Sequence, residues 1–486
     1  GRLVRMSNGF GFSFPTNDGD DDDDKNRRDD NNPFSAFGFG IGGDNSGSGS
    51  GSGAAGAGGL GDLLNQFGQM LSGMGSSMNA EGASPVNYDM AQRIASQEIK
   101  GAKKVTAEEK HAVEESVRLA DLWLDAATDL PASSGKVEAW NAEDWLRDTM
   151  PAWKRLVTPV AKNMSQAQMD SLPEEAREMM GPLSNMMNQM SGMNYGMQLG
   201  HSLGDLAKQI LSGTDFGLPV APSGVVAVLP PNVQAAAKDL EISTSDVLVY
   251  IAAREAARQR LFKHVPWLVE RLFSSVEEYA MGLEIDTSHI EEATRELNLE
   301  SGDPQAIQEA MEKLQGMDLS PRITSRNANA TARVETLIAL VEGWVEHVVT
   351  EAMGERIPAT SALNEAWARR RATGGSAEQA FSKVVGIELG APKVSAATEL
   401  WRRATNAVGT EKRDSVWDHP DFLPTAEHLD NPAAFIDSLL DDAPSDDFDA
   451  EFAKLEEELR NSGADKGDAE SDGDDKGGDD TDSEKE

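Results

Sequence analysis

The chain contains no cysteine. Disulfide staples, thiolate metal sites and cysteine nucleophiles are therefore excluded, and packing, hydrogen bonds and ion pairs must hold whatever fold it adopts. Histidine is scarce as well, with 7 residues in 486. They are His111, His201, His264, His289, His347, His419 and His428, and no two of them stand four apart on one helix face. Long apolar runs are missing: none approaches the roughly 20 residues that span a bilayer, so no membrane insertion is expected. The basic residues of 1–10 are not followed by the apolar core of a signal peptide, which makes a cytoplasmic location the default expectation. Met6-Ser7-Asn8 reads as a natural start within that stretch.

Positive charge is also in short supply. Lysine and arginine number 44 against 83 aspartates and glutamates, a net charge of -39. The segment 441–486 alone carries 20 acidic and 5 basic residues. Such a chain repels phosphate backbones and anionic lipid, and no basic stripe with interleaved aromatics offsets that, so nucleic acid is not an expected partner. No glycine-rich phosphate loop and no serine nucleophile elbow is present either. A protein partner is the class left open.

What is present is helical periodicity between two biased tails. Residues 1–60 repeat Phe-Gly around an acidic block and pass into Gly-Ser repeats, a composition that cannot bury enough surface to offset its ordering entropy. A disordered tail is the expectation there; a Phe-Gly self-association segment is the sharper alternative. Residues 61–80 form a short amphipathic segment through Leu63, Leu64, Phe67, Met70, Leu71 and Met74. Residues 81–440 are expected to be a helical body, and 441–486 a disordered acidic tail. Within the body, Val113, Val117, Ala120 and Leu124 make one stripe, and Val334, Leu337, Val341, Trp344 and Val348 another. Trp140, Trp145 and Trp153 read as core residues of a helical region ending near Pro159. Met179, Met186, Met190, Met193 and Met197 share one helix face, whose plain reading is packing against other helices rather than copper binding. A short buried strand is expected at 225–229, closed by Pro230-Pro231.

The helix over 246–265 is the centre of the argument. It starts in Ser-Thr-Ser-Asp, a run of good N-cap residues, and contains Arg254-Glu255-Ala256-Ala257-Arg258. Residues 254 and 258 lie on one side of the helix, with a carboxylate directly after the first. That spacing is the zinc-peptidase pattern His-Glu-x-x-His with both histidines exchanged for arginine. A guanidinium stays protonated and has no lone pair to give, so it cannot ligate zinc.

The chain resembles the actinobacterial zincin-like metallopeptidase family, whose members are called zinc-dependent metalloproteases or hydrolases. One clade of that family is associated with deazaflavin-cofactor biosynthesis. The likeness is carried by Asp215-Phe216-Gly217-Leu218-Pro219, by the helix around 254–258 with Val265-Pro266-Trp267 behind it, by Leu340-Val341-Glu342-Gly343-Trp344, and by His419-Pro420-Asp421-Phe422-Leu423-Pro424-Thr425. It implies a mainly α, zincin-like body with a short β element before the motif helix, flanked by the two tails. It also implies that Glu255 stands at the general-base position and Glu342 at the downstream acidic position. The family's cofactor is zinc, but with Arg254 and Arg258 at the ligand positions none is predicted here. Two readings follow. The first is a catalytically inactive pseudo-peptidase with a binding or scaffold role, in which Arg254 and Arg258 pair with Glu342, and with Glu335 or Glu346, where a metal would have stood. The alternative is an active hydrolase that uses Glu255 as base with an atypical metal site. A third, bland reading makes the arginines part of a solvated helix face.

Overall fold

The computed structural model describes residues 84–286 except 182, isolated positions between 288 and 295, then 304–315, 322–441 except 374 and 376, and 452–460. The expected tail 1–60, the segment 61–80 and most of 442–486 lie outside the described residues.

In chain order the helices are α1 (Tyr88–Glu98), α2 (Ala107–Leu124), α3 (Ala142–Asp170), α4 (Glu174–Met180), α5 (Ser184–Gln209), α6 (Pro230–Leu240), α7 (Thr244–His264), α8 (Pro266–Met281), α9 (Pro304–Gln315), α10 (Ala328–Met353), α11 (Thr360–Ala372), α12 (Ala377–Ala380), α13 (Val394–Ser415), α14 (Ala426–Asp430) and α15 (Pro432–Asp441). Four short strands join them. β1 (Val137–Ala139) pairs in parallel with β2 (Val226–Val228), and β3 (Leu283–Asp286) pairs antiparallel with β4 (Arg322–Ser325). The fold is mainly α. Residues up to Asp430 form one compact unit; those from Asn431 form another, holding α15 and the helical stretch 452–460.

Local chemistry sets the helix starts. Thr106 closes a capping box with Glu109 ahead of α2, and Asn141 closes one with Asp144 ahead of α3. The Ser243 hydroxyl accepts the Asp246 amide at the start of α7. The predicted stripes of α2 and α10 are buried, whereas Leu119 and Leu122 of α2 face outward. Strand β2 is fully buried, as its apolar run predicts.

Four expectations are corrected. Pro159 does not end the Trp-rich helix, because α3 runs through Pro151 and Pro159 to Asp170. Each internal proline costs about 3 kcal/mol, and burial of Trp153, Leu156, Val157, Val160, Ala161 and Met164 around them offsets it. Pro230-Pro231 does not merely close the strand: it opens α6, since proline at a first helical position lacks an N–H that would be unpaired anyway. The five methionines do not share one packed helix face. Met179 lies on α4, and on α5 Met186, Met190 and Met197 are exposed, while the buried side of α5 is its glycine row with Tyr195, Leu199 and Leu203, which a neighbouring backbone can approach closely. Finally, the 246–265 helix does not bury a single face: from Val247 to Phe262 only Val249 escapes full burial.

Helix α7 thus runs through the middle of the body, against α2, α6, α8, α10 and α11 and strand β2. A helix buried all round is usually apolar all round. This one carries Arg254, Glu255, Arg258, Gln259 and Arg260, none more than 1% exposed. Every one of those polar groups needs a partner inside the protein.

Candidate functional site

Arg260 donates to Asp121 of α2 and to the Leu130 carbonyl, and the other partners come from α10 and from the loops at Thr214 and Gly224. From α10, Glu342 reaches α7 and takes both arginines. Arg254 Nη2 donates to Glu342 Oε2 at 3.0 Å. Arg258 Nε donates to Oε1 at 2.5 Å, and its Nη2 to Oε2 at 3.1 Å, a two-pronged fork. The Glu342 side chain is 5% exposed and the two arginines 1% and 2%. Burial opposes ionisation of Glu342, but the attraction of Arg258 and Arg254 outweighs it and holds the carboxyl below the ordinary glutamate range. The Arg254 guanidinium also lies 5.7 Å from the centre of the Tyr250 ring, one turn back on α7.

Glu255 faces the other way. Its two oxygens accept the Thr214 amide at 3.1 and 3.2 Å and the Thr214 hydroxyl at 2.9 and 2.8 Å. Gln259 Nε2 donates at 3.2 Å and Arg258 Nη1 at 3.4 Å. Gln259 in turn accepts the Gly224 amide at 3.2 Å, tying α7 to the β2 loop. Burial pushes the Glu255 carboxyl above its ordinary value, with Arg258 and Thr214 offsetting only part of that. Its lone pairs are spent on protein donors, and it does not line the cleft described below.

The turn before β2 supplies a second clamp. Phe216 and Gly217 both hold positive φ, 65° and 79°, and this reversal aims Asp215 at α11. Arg370 Nη1 and Nη2 donate to the Asp215 carboxylate at 3.1 and 2.9 Å, and the Arg370 guanidinium lies 4.6 Å from the centre of the Phe216 ring. A Cβ on Gly217 would come within 2.9 Å of the Glu342 side chain, so this turn packs directly against the Glu342 centre. Arg371 completes the row through Glu346 at 3.1 Å. Four arginines (254, 258, 370, 371) are thus matched by four carboxylates (215, 255, 342, 346), all buried except the half-buried Arg371–Glu346 pair.

Helix α10 positions Glu342 by facing three ways in succession. Glu342 points to α7. At Gly343 a Cβ would lie 2.6 Å from the Ala397 Cβ and 2.7 Å from the Thr398 amide, so only glycine lets α13 approach this closely. Trp344 Nε1 donates to Asp414 at 2.9 Å behind it. The Asp414 carboxylate also takes the Thr128 hydroxyl, the Asp129 amide and Arg413. Trp267, from the Val-Pro-Trp turn after α7, donates to the Trp417 carbonyl at 3.1 Å, and Trp417 stacks on Trp401.

A cleft of about 520 Å³ opens over this cluster. Asp215, Glu342, Arg370, Arg371 and Lys393 line it, and Phe216, Ile338, Trp367 and Val394 supply apolar wall. An apolar wall with a few charged anchors is the composition of a small-ligand or peptide-side-chain site.

The expected site residues divide accordingly. Arg254, Arg258 and Glu342 meet; Glu255 touches Arg258 but turns away to Thr214. Glu346 serves Arg371 rather than the α7 arginines, and Glu335 accepts the Gly390 amide instead. The solvated-face reading fails on the burial of both arginines. Asp215, Arg370, Arg371 and Thr214 are participants that sequence reasoning missed as partners. The one sequence signal for them is the Arg369-Arg370-Arg371 run, whose cations call for carboxylate partners. His419 lies in an exposed turn where its Nδ1 accepts the Asp421 amide at 3.1 Å, and it does not line the cleft.

The residues at the cluster do not fit a zinc ion. Both Glu342 oxygens are occupied by guanidinium groups, and among the described residues no group of three or more His, Asp or Glu side chains is placed to hold a metal.

A mainly helical body with a polar motif helix through its centre and a later helix supplying a carboxylate is a zincin-like arrangement. The chain belongs to the zincin-like metallopeptidase family, whose sequence model matches residues 86–436. Its fold is also similar to that of a Chloroflexus aurantiacus protein, solved by crystallography and described as "a putative hydrolase with a novel fold". The two share 17% sequence identity at a TM-score of 0.51, over 73% of this chain and 98% of that one. No curated protein matches the sequence. Among the described residues no helix is long and apolar enough to cross a membrane.

Proposed function

We propose that this family member is a metal-independent pseudo-peptidase, in which Arg254 and Arg258 replace the metal ligands of the family pattern and Glu342 bridges them as the metal would have bridged the helices. The protein then works by binding, through the cleft above Glu342, and its partner is a protein or peptide. The observation that carries this reading is the double clamp of Arg254 and Arg258 on one buried carboxylate. Two neutral imidazoles on a zinc ion and two guanidinium groups carry the same charge, so the exchange conserves the electrostatics of the helix pair. Glu255 keeps its place in the motif as a structural acceptor for Thr214 and Gln259. A general base needs a free lone pair within reach of substrate, and Glu255 offers none. The apolar wall of Phe216 and Trp367 beside Arg370 and Arg371 suits a side chain presented together with an acidic group.

The test is turnover with and without the motif carboxylate. Wild type and Glu255→Gln are incubated with denatured protein and with a mixed peptide pool, zinc added or withheld. Background-level cleavage in every arm, with peptide retained by both proteins, is the expected result. Cleavage by wild type that Glu255→Gln abolishes overturns the proposal.

A further inference from the structure

The side chains around the cleft differ in what they have left to offer a ligand. Two buried carboxylates of its lining are saturated. Glu342 takes three guanidinium N–H groups. Asp215 takes two from Arg370, and the Leu211 and Phe216 amides at 3.0 and 2.9 Å. Arg371 is in the opposite state. A guanidinium has five N–H donors, and Arg371 spends one, from Nη2, on Glu346. Its Nη1 is buried and has no acceptor among the described residues, while the side chain lines the cleft with 19% of its surface exposed. A buried donor without an acceptor carries a desolvation penalty that an incoming anion relieves. Lys393 lines the cleft as well, in an exposed pair with Asp430 that water screens.

The apolar part of the lining lies close to that guanidinium. Trp367 precedes Arg371 by one turn of α11, so both side chains leave the helix on the same side. Phe216 and Val394 extend the apolar surface. The matching ligand carries one negative charge beside an apolar group. A dianion is disfavoured, because Asp215, Glu342 and Glu378 line the same space. Glu378, which has no partner among the described residues, supplies an acceptor for an N–H. The C-terminal residue of a peptide bears all three groups on one α-carbon: a carboxylate, a side chain and an amide N–H.

We propose that the cleft takes the C-terminal residue of a peptide, with its terminal carboxylate on Arg371 and its apolar side chain against Trp367 and Phe216. Lys393 adds positive charge at the same end, and Glu378 accepts a peptide N–H. Capture of a terminal carboxylate is a recurring mode of peptide recognition. The assignment rests on the reading of the cleft as a peptide site and adds which end of the peptide enters it.

Fluorescent hexapeptide pools test this by anisotropy with the full-length protein. One pool ends in leucine as the free acid, a second is the same pool as the C-terminal amide, and a third is an amide ending in glutamate. The free acid should bind wild type about tenfold more tightly than either amide, the gain of a charge-assisted hydrogen bond. Arg371→Gln should bring the three pools level. Ser395→Glu keeps the test open should Arg371→Gln fold poorly: it sets an acid on the exposed first turn of α13, where the helix dipole favours it, and turns a negative charge on the cleft. It should unfold no earlier than wild type and also lose the preference for the free acid. Equal binding of acid and amide by wild type overturns the terminal-carboxylate assignment and leaves peptide binding standing. A glutamate amide that binds as tightly as the free acid overturns it too, by giving the charge to a side chain. So does an acid preference that survives in both folded variants. No binding of any pool overturns the assignment together with the reading it rests on.

Discussion

Removing the Glu342 carboxylate tests the cluster most severely. Glu342→Ala leaves two guanidinium groups buried at 1% exposure with their shared acceptor gone. Truncating one partner of a buried ion pair costs about 3–5 kcal/mol, and two charges are stranded here, so the upper end applies. For roughly 350 ordered residues at about 2.1 cal/mol/K each, 5 kcal/mol corresponds to a fall in Tm of about 7 °C. Replacing the whole triad tells a different story. Arg254→Met/Arg258→Met/Glu342→Met removes the charges together with their desolvation cost, and such swaps run from neutral to about 4 kcal/mol stabilising. Thermal and urea unfolding of the three proteins, side by side, is the assay. The pH dependence follows from the lowered Glu342 value. Its contribution is present above the ordinary unfolded carboxyl range and is lost as pH falls through the folded value, so the gap between wild type and Glu342→Ala narrows in acid. A Glu342→Ala protein within 1 kcal/mol of wild type at neutral pH (about the size of an ordinary surface change) would refute the view that this carboxylate holds α7 and α10 together.

The remaining predictions are narrower. Arg254→His/Arg258→His rebuilds His-Glu-x-x-His opposite Glu342 and should gain tight zinc binding by equilibrium dialysis; no gain means that α7 and α10 do not share zincin geometry. Gly217→Ala forces a left-handed backbone onto a side chain and pushes on Glu342, and should cost about 1–3 kcal/mol by chemical unfolding. Gly343→Ala collides with the α13 backbone at Ala397 and Thr398 and should lose a similar amount, with α10 and α13 showing faster amide exchange. Burial, with Arg413 nearby, lowers His347 to about 4, so its neutral form is the one that favours folding. That stability is complete above the ordinary histidine value near 6.5 and is lost as pH falls toward 4; NMR titration of its ring and a flatter stability profile in His347→Gln between those values check it.

How much of this could be read from the sequence depends on how local each feature is. Arg254 and Arg258 were legible because a spacing of four marks one helix face, and Glu342 because the family resemblance places it at the downstream acidic position. Asp215 with Arg370 was not, because a clamp between residues 155 apart leaves no periodic trace. The turn of Glu255 toward Thr214 was equally hidden, since both hydroxyl and amide come from an irregular loop. The methionine period ran across a helix break, with Met179 on α4 and the rest on α5, and on α5 the burial was assigned to the wrong side. Glycine has no hydropathy to register, yet its missing Cβ is what admits α1 on the side where Tyr195, Leu199 and Leu203 are also buried. Pro230 misled in the opposite sense, for the same residue that stops a helix interior also starts one. Strands β1, β3 and β4, three or four residues each, were too short to show alternation.

The central claim is that guanidinium–carboxylate pairs stand where the family pattern would place a metal. The zinc content of full-length protein, purified without chelators and dialysed to equilibrium, measures that claim directly by elemental mass spectrometry. The account predicts a content far below one ion per chain, unchanged in Glu342→Ala. One zinc per chain in wild type, retained through dialysis and lost in Glu342→Ala, would contradict it.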